Sequence, residues 1–242
     1  MIDLHCHILP YLDDGSRNTE ETLAMAQIAV NSGIKKMVAT PHCEHGGAEE
    51  VISTYKRVCQ VLKDKRISLE LYPGMEIFAT PETADLLRRG ELLTINGSRY
   101  PLVEFDFLAS GREETEILES LVKAGYRPLV AHPERYIFLQ RDPELMNLWW
   151  QMGCLFQINR GSLMGRFGMD AQQLSLAMID RGFATVVSSD GHSSVRRAPL
   201  LDNVQRMIRQ EFSPNAALHL LERNPAKILN DEDFTQMEPV WF

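Results

Sequence analysis

Two histidines two residues apart, His5 and His7 in "LHCH", stand a few residues before an adjacent pair of aspartates, Asp13 and Asp14. Imidazole and carboxylate together are the donors taken by borderline divalent ions such as zinc, manganese or ferrous iron. The same residue types recur along the chain: His42 after "VATP", Glu76 after "LYPGM", Glu104 in "LVEF", His132 closing "LVAH", and Asp190 and His192 after "VVSS". Five of the seven histidines belong to this series. With Asp14 the donors number nine, more than one roughly four- to six-coordinate ion can use. That excess predicts two or three ions, some sharing a bridging carboxylate. No thiolate set accompanies these residues, which disfavours a structural zinc site. Spacing alone does not separate Asp13 from Asp14.

What could bring residues so far apart to one place is a regular alternation of elements. Strands are predicted at "IDLH", "KKMVAT", "SLELY", "YPLVEF", "RPLVAH", "CLFQIN" and "FATVVSS". Amphipathic stretches lie between them. Asn18 can cap the first helix with Glu21 at its third position, Leu23, Ala26 and Val30 share one face, and Gly33 stops it. Val51, Tyr55, Val58 and Leu62 form a core-facing stripe on the next, and "ETEILESLVKAG", "PELMNLWWQMG" and "AQQLSLAMIDRG" repeat the design. Alternation of this kind predicts an α/β fold with parallel strands and right-handed crossovers, closed or nearly closed into a barrel. Positions at the C-terminal ends of such strands converge on one rim, which is where the metal-capable side chains fall. After about Pro199 the chain reads as helices and a tail whose Trp241 and Phe242 dock on the body.

At 242 residues and 44% hydrophobic content, residues 1–242 are expected to form a single domain. A net charge of -8 argues against nucleic acid as a partner, because that affinity rests on cationic side chains. No run approaches the roughly 18–20 apolar residues of a membrane span, so an integral membrane protein is not expected. Cys6, Cys43, Cys59 and Cys154 are scattered without a C-x-x-C pair, which suits reduced thiols and a cytoplasmic location. Cys6 should point away from His5 and His7 and serve packing. His45 and His219 lie outside the pattern.

The motifs "DLHCHILPYLDDG", "ATPH", "PGMEI", "LVEF", "AHPER", "GSLMGRFG" and "SSDGH" resemble the polymerase and histidinol phosphatase (PHP) superfamily. Within it they look most like the bacterial tyrosine-phosphatase branch that acts in capsular and extracellular polysaccharide synthesis. The resemblance implies a distorted seven-stranded (β/α) TIM-like barrel and hydrolysis of phosphotyrosine. It also implies a cluster of two to three divalent ions, manganese first, with iron or zinc as alternatives. Carried over motif by motif, His5, His7, Glu76 and Asp190 hold one ion. Glu76, Glu104 and His132 hold a second, with Glu76 as the bridge, and Asp14, His42 and His192 hold a third. Arg135 of "HPER" and Arg197 of "SVRRAP" match the branch's phosphate-binding arginines, with Arg196 a competitor for the second role. The implied partner is a phosphotyrosine protein, an autophosphorylating bacterial tyrosine kinase whose flexible tail reaches an open rim. "CEHGGAEE" and "GSLMGRFGMD" are the expected pocket walls.

Other readings compete. "CLFQINR", from Cys154 to Arg160, has the C-x5-R spacing of cysteine-dependent phosphatases, but its intervening residues contain no glycine to form an anion loop. A low-pKa thiolate also needs electropositive surroundings that an apolar strand does not offer. A small-molecule phosphatase acting on a histidinol-phosphate-like ester is the nearer alternative. A nuclease is weakened by the acidic composition. A non-catalytic binding module is expected to have lost donors, and the series is intact.

Overall fold

The computed structural model describes residues 1–43, 47–233 and 238–242. Its strands are β1 (Ile2–Cys6), β2 (Lys36–Ala39), β3 (His42–Cys43), β4 (Glu70–Pro73) and β5 (Glu76–Phe78). They continue with β6 (Leu102–Glu104), β7 (Leu129–Ala131), β8 (Leu155–Asn159) and β9 (Val186–Ser188). All pair in parallel, in one sheet ordered β1-β2-β4 and a second ordered β3-β5-β6-β7-β8-β9. The seven strands expected from sequence are present. The short β3 and β5 were not foreseen: they continue β2 and β4 after breaks at Thr40-Pro41 and Gly74-Met75. Proline has no N–H for the ladder, and Gly74 lies so close to β2 that a Cβ would come within 2.8 Å of Val38. His42 and Glu76 therefore begin strands of their own instead of trailing the preceding ones.

A parallel bridge between Cys6 and Gly191 ties β1 to the segment after β9. There the His7 N–H donates to the Gly191 carbonyl at 2.8 Å and the Asp190 N–H to the His5 carbonyl at 2.9 Å. Within each sheet the strands follow sequence order; helices return the chain after β1, β3, β5, β6, β7 and β8, while β2 and β4 run on into β3 and β5.

Helices Thr19–Asn31, Ala48–Asp64, Arg112–Lys123, Leu145–Gln151 and Met169–Asp180 fill the five amphipathic stretches. Asn18 Oδ1 accepts the Glu21 N–H at 2.9 Å, as its capping position predicts. Glu21 itself turns outward from the helix start and accepts the Ser194 N–H, pinning the loop after β9. Gly33, at φ 89°, adopts the left-handed conformation that ends the first helix. Val51, Val58 and Leu62 are buried and Tyr55 packs at the edge of the same cluster. At the C-terminus Trp241 stacks edge-on to Trp150 and Phe242 packs on Phe183, so the tail docks as expected. Among the described residues no helix is long and apolar enough to cross a membrane. Residues 44–46, which include His45 and part of the "CEHGGAEE" wall, lie outside the described residues.

Two apolar layers hold the strands. The larger lies between strands and helices, around Trp149, Phe156, Phe183 and Met37. A smaller one collects Leu4, Val38, Leu102, Leu129, Leu155 and Val186, a side chain from each of six strands, closed from below by Tyr100, Ile228 and Leu229. Burial of each such aliphatic side chain contributes about 1.5–3 kcal/mol. Because strand side chains alternate, the residues two and four places beyond this inner layer face the same way. Leu102 leads to Glu104, Leu155 to Gln157 and Asn159, and Val186 to Ser188 and Asp190. On β1 the register slips between Asp3 and Cys6, so His5 and His7 face the cluster while Cys6 packs in the outer layer.

The loop after β1 folds back on His7. The Ser16 N–H donates to the His7 carbonyl at 3.0 Å, and a Cβ at Gly15 would lie 2.3 Å from that oxygen and 2.4 Å from the His7 Cβ. Gly15→Ala is therefore expected to cost about 1–3 kcal/mol through forced repacking, a fall of several degrees in Tm for a chain of this size. An unchanged melting curve would show that the loop does not bear on His7.

Candidate metal centre

Above the inner apolar layer the nine metal-capable side chains meet. His5, His7, Glu76, Glu104, His132, Asp190 and His192 are buried, His42 is partly exposed, and Asp14 is exposed at the mouth. Their donor atoms fall into overlapping groups: His7, Asp14, His42 and His192; His5, His7 and Asp190; His5, Glu76 and His132; His42, Glu76 and Glu104. The two oxygens of Glu76 face different groups. Oε2 lies 2.9 Å from His5 Nε2 and 3.1 Å from His7 Nε2, whereas Oε1 lies 2.8 Å from His132 Nε2. His42 also faces two ways, with Nδ1 at 2.7 Å from Glu104 and Nε2 at 3.8 Å from Asp14. His192 Nε2 approaches Asp14 at 3.3 Å.

The imidazoles are oriented by Gln157, which the sequence reading did not single out, and by Asp13, which it left undecided against Asp14. Gln157 Oε1 sits 2.8 Å from His5 Nδ1, and Asp13 Oδ2 sits 2.6 Å from His7 Nδ1. Asp13 also accepts the His42 and Gly15 backbone N–H groups, both at 2.9 Å. The adjacent aspartates thus divide their work: Asp13 orients His7, and Asp14 faces His42 and His192. Since both oxygens are acceptors, each Nδ1 carries a proton, and each Nε2 is left to meet a cation or, in metal-free protein, to share a proton with Glu76. Those two Nε2 atoms are 3.1 Å apart and share Glu76 Oε2 as neighbour. Three acceptors converging in a buried space need a cation or protons between them.

The ionisation tendencies express the same need. Burial opposes charge on His7, yet hydrogen bonds to Asp13 and Glu76 outweigh it and raise the imidazole to about 10. His42 rises to about 9 against its own burial, through Glu104 and Glu76. Burial also opposes ionisation of Glu76, but attraction to His5 and hydrogen bonds from His132, His5 and His7 hold its carboxyl well below the usual range. Burial dominates at His192 and lowers it, leaving a neutral imidazole near neutral pH.

Asp190 joins two regions. Its Oδ1 is buried and accepts no hydrogen bond among the described residues, although His192 Nδ1 lies 3.3 Å away and His5 and His7 Nε2 3.6 Å away. Its Oδ2 accepts from Asn159 Nδ2 and Arg197 Nη2, with Arg135 Nη1 at 3.6 Å. Both arginines are largely covered, whereas Arg196 is exposed and has its carbonyl bound by Arg166 at 2.9 Å. Arg197 is therefore the one that faces the cluster. Phe167, from the "GSLMGRFGMD" wall, lies over Arg135. Asn159 and Gln157 could have been suspected from sequence, as two amides at alternate positions of an otherwise apolar strand. His132 and Asp190 hold positive φ, 34° and 50°, a conformation disfavoured for side-chain-bearing residues and common at functional sites.

The donor set fits divalent cations: neutral-capable imidazoles, carboxylates, backing hydrogen bonds and an unpartnered buried oxygen on Asp190. Cys6 and Cys154 take no part that the geometry supports. Cys6 is buried with its thiol pushed well above its ordinary value, and burial pushes Cys154 up to about 12. That disposes of the C-x5-R reading, since a nucleophilic thiolate needs the opposite shift. His219 is a half-buried helix residue whose Nδ1 bonds the Asn215 carbonyl, and it belongs to none of the donor groups.

A family model described as capsular polysaccharide synthesis, CpsB/CapC, matches residues 1–230. Tyrosine-protein phosphatase YwqE of Bacillus subtilis (strain 168) is 31% identical over 240 residues, covering 98% of this chain and 94% of that protein. Tyrosine-protein phosphatase CpsB of Streptococcus pneumoniae is 29% identical over 241 residues, covering 96% and 99%. Among solved structures, those of YwqE from Bacillus subtilis and CpsB from Streptococcus pneumoniae, described as unique metal-dependent tyrosine phosphatases, provide a match with a TM-score of 0.93. It is 30% identical and covers 100% of this chain and 99% of that one. Histidinol phosphate phosphatase from Lactococcus lactis shares the fold, with a TM-score of 0.58 at 12% identity over 91% of this chain and 95% of that one.

Protons and cations compete for the same lone pairs. In metal-free protein, His7 and His42 have folded pKa values raised above the unfolded 6.5. Their contribution is full below about pH 6.5 and is lost as pH rises through about 9 and 10. Calorimetry of chelated protein should show Tm falling between pH 7 and 10, while the affinity for added divalent ions rises over the same range. A flat Tm and a pH-independent affinity would contradict the pairing described.

Proposed function

From the premise that the chain belongs to the capsular polysaccharide synthesis CpsB/CapC family, we infer that it is a metal-dependent tyrosine-protein phosphatase that hydrolyses phosphotyrosine. The observation that carries the reaction to particular residues is the two-sided carboxylate of Asp190, with one oxygen in the imidazole cluster and the other among two guanidinium groups. A cation site and an oxyanion site share that residue.

On this reading residues 1–242 act as one catalytic domain. His5, His7, Glu76 and Asp190 would hold one divalent ion, Glu76, Glu104 and His132 a second, and Asp14, His42 and His192 a third. The opposed oxygens of Glu76 support its place as the bridge between the first two. The proximity of His42 to Glu104 as well as Asp14 puts it at the border of the second and third. Manganese is the ion we favour, with iron or zinc compatible with the same donors. Ions bound there would supply Lewis-acid stabilisation of phosphoryl charge and a water activated near neutral pH. Arg135 and Arg197 bind the phosphoryl oxygens through paired N–H groups and orient the ester. Gln157 and Asp13 keep the Nε2 atoms of His5 and His7 turned into the cluster. A tyrosine leaving oxygen, with a pKa of about 10, departs more readily than the alkoxide of an amino alcohol ester.

The substrate we propose is a phosphotyrosine-bearing, flexible segment of an autophosphorylating bacterial tyrosine kinase. The exposed position of Asp14 supports access from outside. A cytoplasmic location fits the free thiols of Cys6, Cys59 and Cys154.

Removing the metals by exhaustive chelation should abolish turnover, and Mn²⁺ should restore it. Asp190→Ala should lower kcat/KM by at least about 10²-fold with the fold intact, since it removes groups from both halves of the site. Cys154→Ala should leave turnover per folded molecule unchanged. Full activity after metal removal, or a dead but folded Cys154 variant, would sink the mechanism.

Specificity constants measured side by side should rank a phosphotyrosine peptide well ahead of histidinol phosphate and of single-stranded DNA. Preference for histidinol phosphate would reassign the substrate class to small molecules and leave the metal centre standing.

A further inference from the structure

Arg135 carries one of the two guanidinium groups at the site on a long side chain that could adopt many rotamers. Its Nη1 is 3.6 Å from Asp190 Oδ2, beyond hydrogen-bond length, so that carboxylate does not fix it. Two aromatic rings flank it instead. The guanidinium carbon lies 4.4 Å from the centroid of Phe107 and 4.2 Å from that of Phe167, both within cation–π range.

Each ring is seated by its own loop. Phe107 follows β6, packs against His132 at 5.7 Å and Tyr136 at 5.9 Å, and its carbonyl accepts the Ile137 N–H at 3.0 Å. Phe167 follows the short helix Arg160–Leu163 and lies against the backbone of Gly161, where a Cβ would come within 2.5 Å of the ring. It also stands 5.9 Å from the guanidinium carbon of Arg197. The rings therefore have positions that do not depend on Arg135.

We propose that Phe107 and Phe167 are positioning residues that clamp the Arg135 guanidinium and present its in-plane N–H edge to the phosphoryl group of the substrate. A guanidinium carbon that close to two ring centroids lets its faces meet the rings, which leaves the in-plane edge to bind phosphoryl oxygens in pairs. The clamp removes rotamer freedom before the ester arrives, so its contribution falls on substrate capture. The proposal rests on Arg135 as the phosphate-binding group in the phosphatase reading.

Phe167→Ala should lower kcat/KM by about three- to tenfold, mainly through KM, for a phosphotyrosine peptide and a small aryl phosphate alike, with metal content unchanged. Phe167→Tyr should retain activity, and Phe167→Leu, which keeps apolar bulk without a π face, should not. In an Arg135→Ala background Phe167→Ala should add no further loss, because its effect passes through the arginine. Independently of turnover, NMR should find the Arg135 Nε–H signal shifted upfield by the flanking rings, and Phe167→Ala should cancel much of that shift. An additive loss in the double variant, full activity of Phe167→Leu or an unshifted Arg135 signal would overturn the clamp. If the signal is shifted but the parent protein hydrolyses no phosphate monoester, the reaction assignment fails while the clamp stands.

Discussion

Nε2 of His5, Nε2 of His7 and Oε2 of Glu76 meet at about 3 Å in a space closed to solvent, and only a cation or protons between them can hold them there. Much of the surrounding structure follows from that crowding. Left to themselves the groups would separate, rotate or draw in protons. They are kept in place because Gln157 and Asp13 hold the far side of each imidazole and because Glu76 is engaged at its other oxygen by His132. The site is thus arranged for cations before any arrive.

Holding that arrangement imposes irregularity on the scaffold. A register slip in β1 lets His5 and His7 share one side, and breaks after β2 and β4 start new strands at His42 and Glu76. His132 and Asp190 take backbone conformations that cost of order 1–3 kcal/mol each. The inner apolar layer beneath the site and the larger layer outside the strands offset such costs by burial. Regular parallel pairing is concentrated below the cluster, and departures from it are concentrated at the cluster.

Asp190 links the two kinds of chemistry. One of its oxygens belongs with the imidazoles and the other with Asn159 and Arg197, so the candidate cation site and the arginines share one carboxylate. Arg135, by contrast, is held by aromatic faces and not by that carboxylate. On the proposed reading, two arginines of similar charge would serve one anion from differently built supports. The overall negative charge of the chain is compatible with this, because the cationic groups needed for one phosphoryl group are gathered locally.

The fold and most of the cluster were legible in the amino-acid order. Alternating apolar runs and amphipathic stretches specify parallel strands with returning helices, and residues at strand ends share a rim whatever the details, which is why nine metal-capable side chains could be picked out by type and position. Choices between neighbours were not legible. Asp13 and Asp14 sit in a loop where no period dictates direction, and their roles separated once the loop folded back on His7. Arg196 and Arg197 are equivalent until the turn after β9 sends the first to solvent and the second toward Asp190. Gln157, Asn159, Phe107 and Phe167 gain their roles from partners on other strands and loops, up to 152 residues away for Gln157 and His5. Residue type and local period determine which elements form and which chemistry is available. Which atoms meet is decided by packing between distant segments, because the distance, angle and burial that turn a side chain into a ligand, an orienter or a bystander exist only once those segments are in contact.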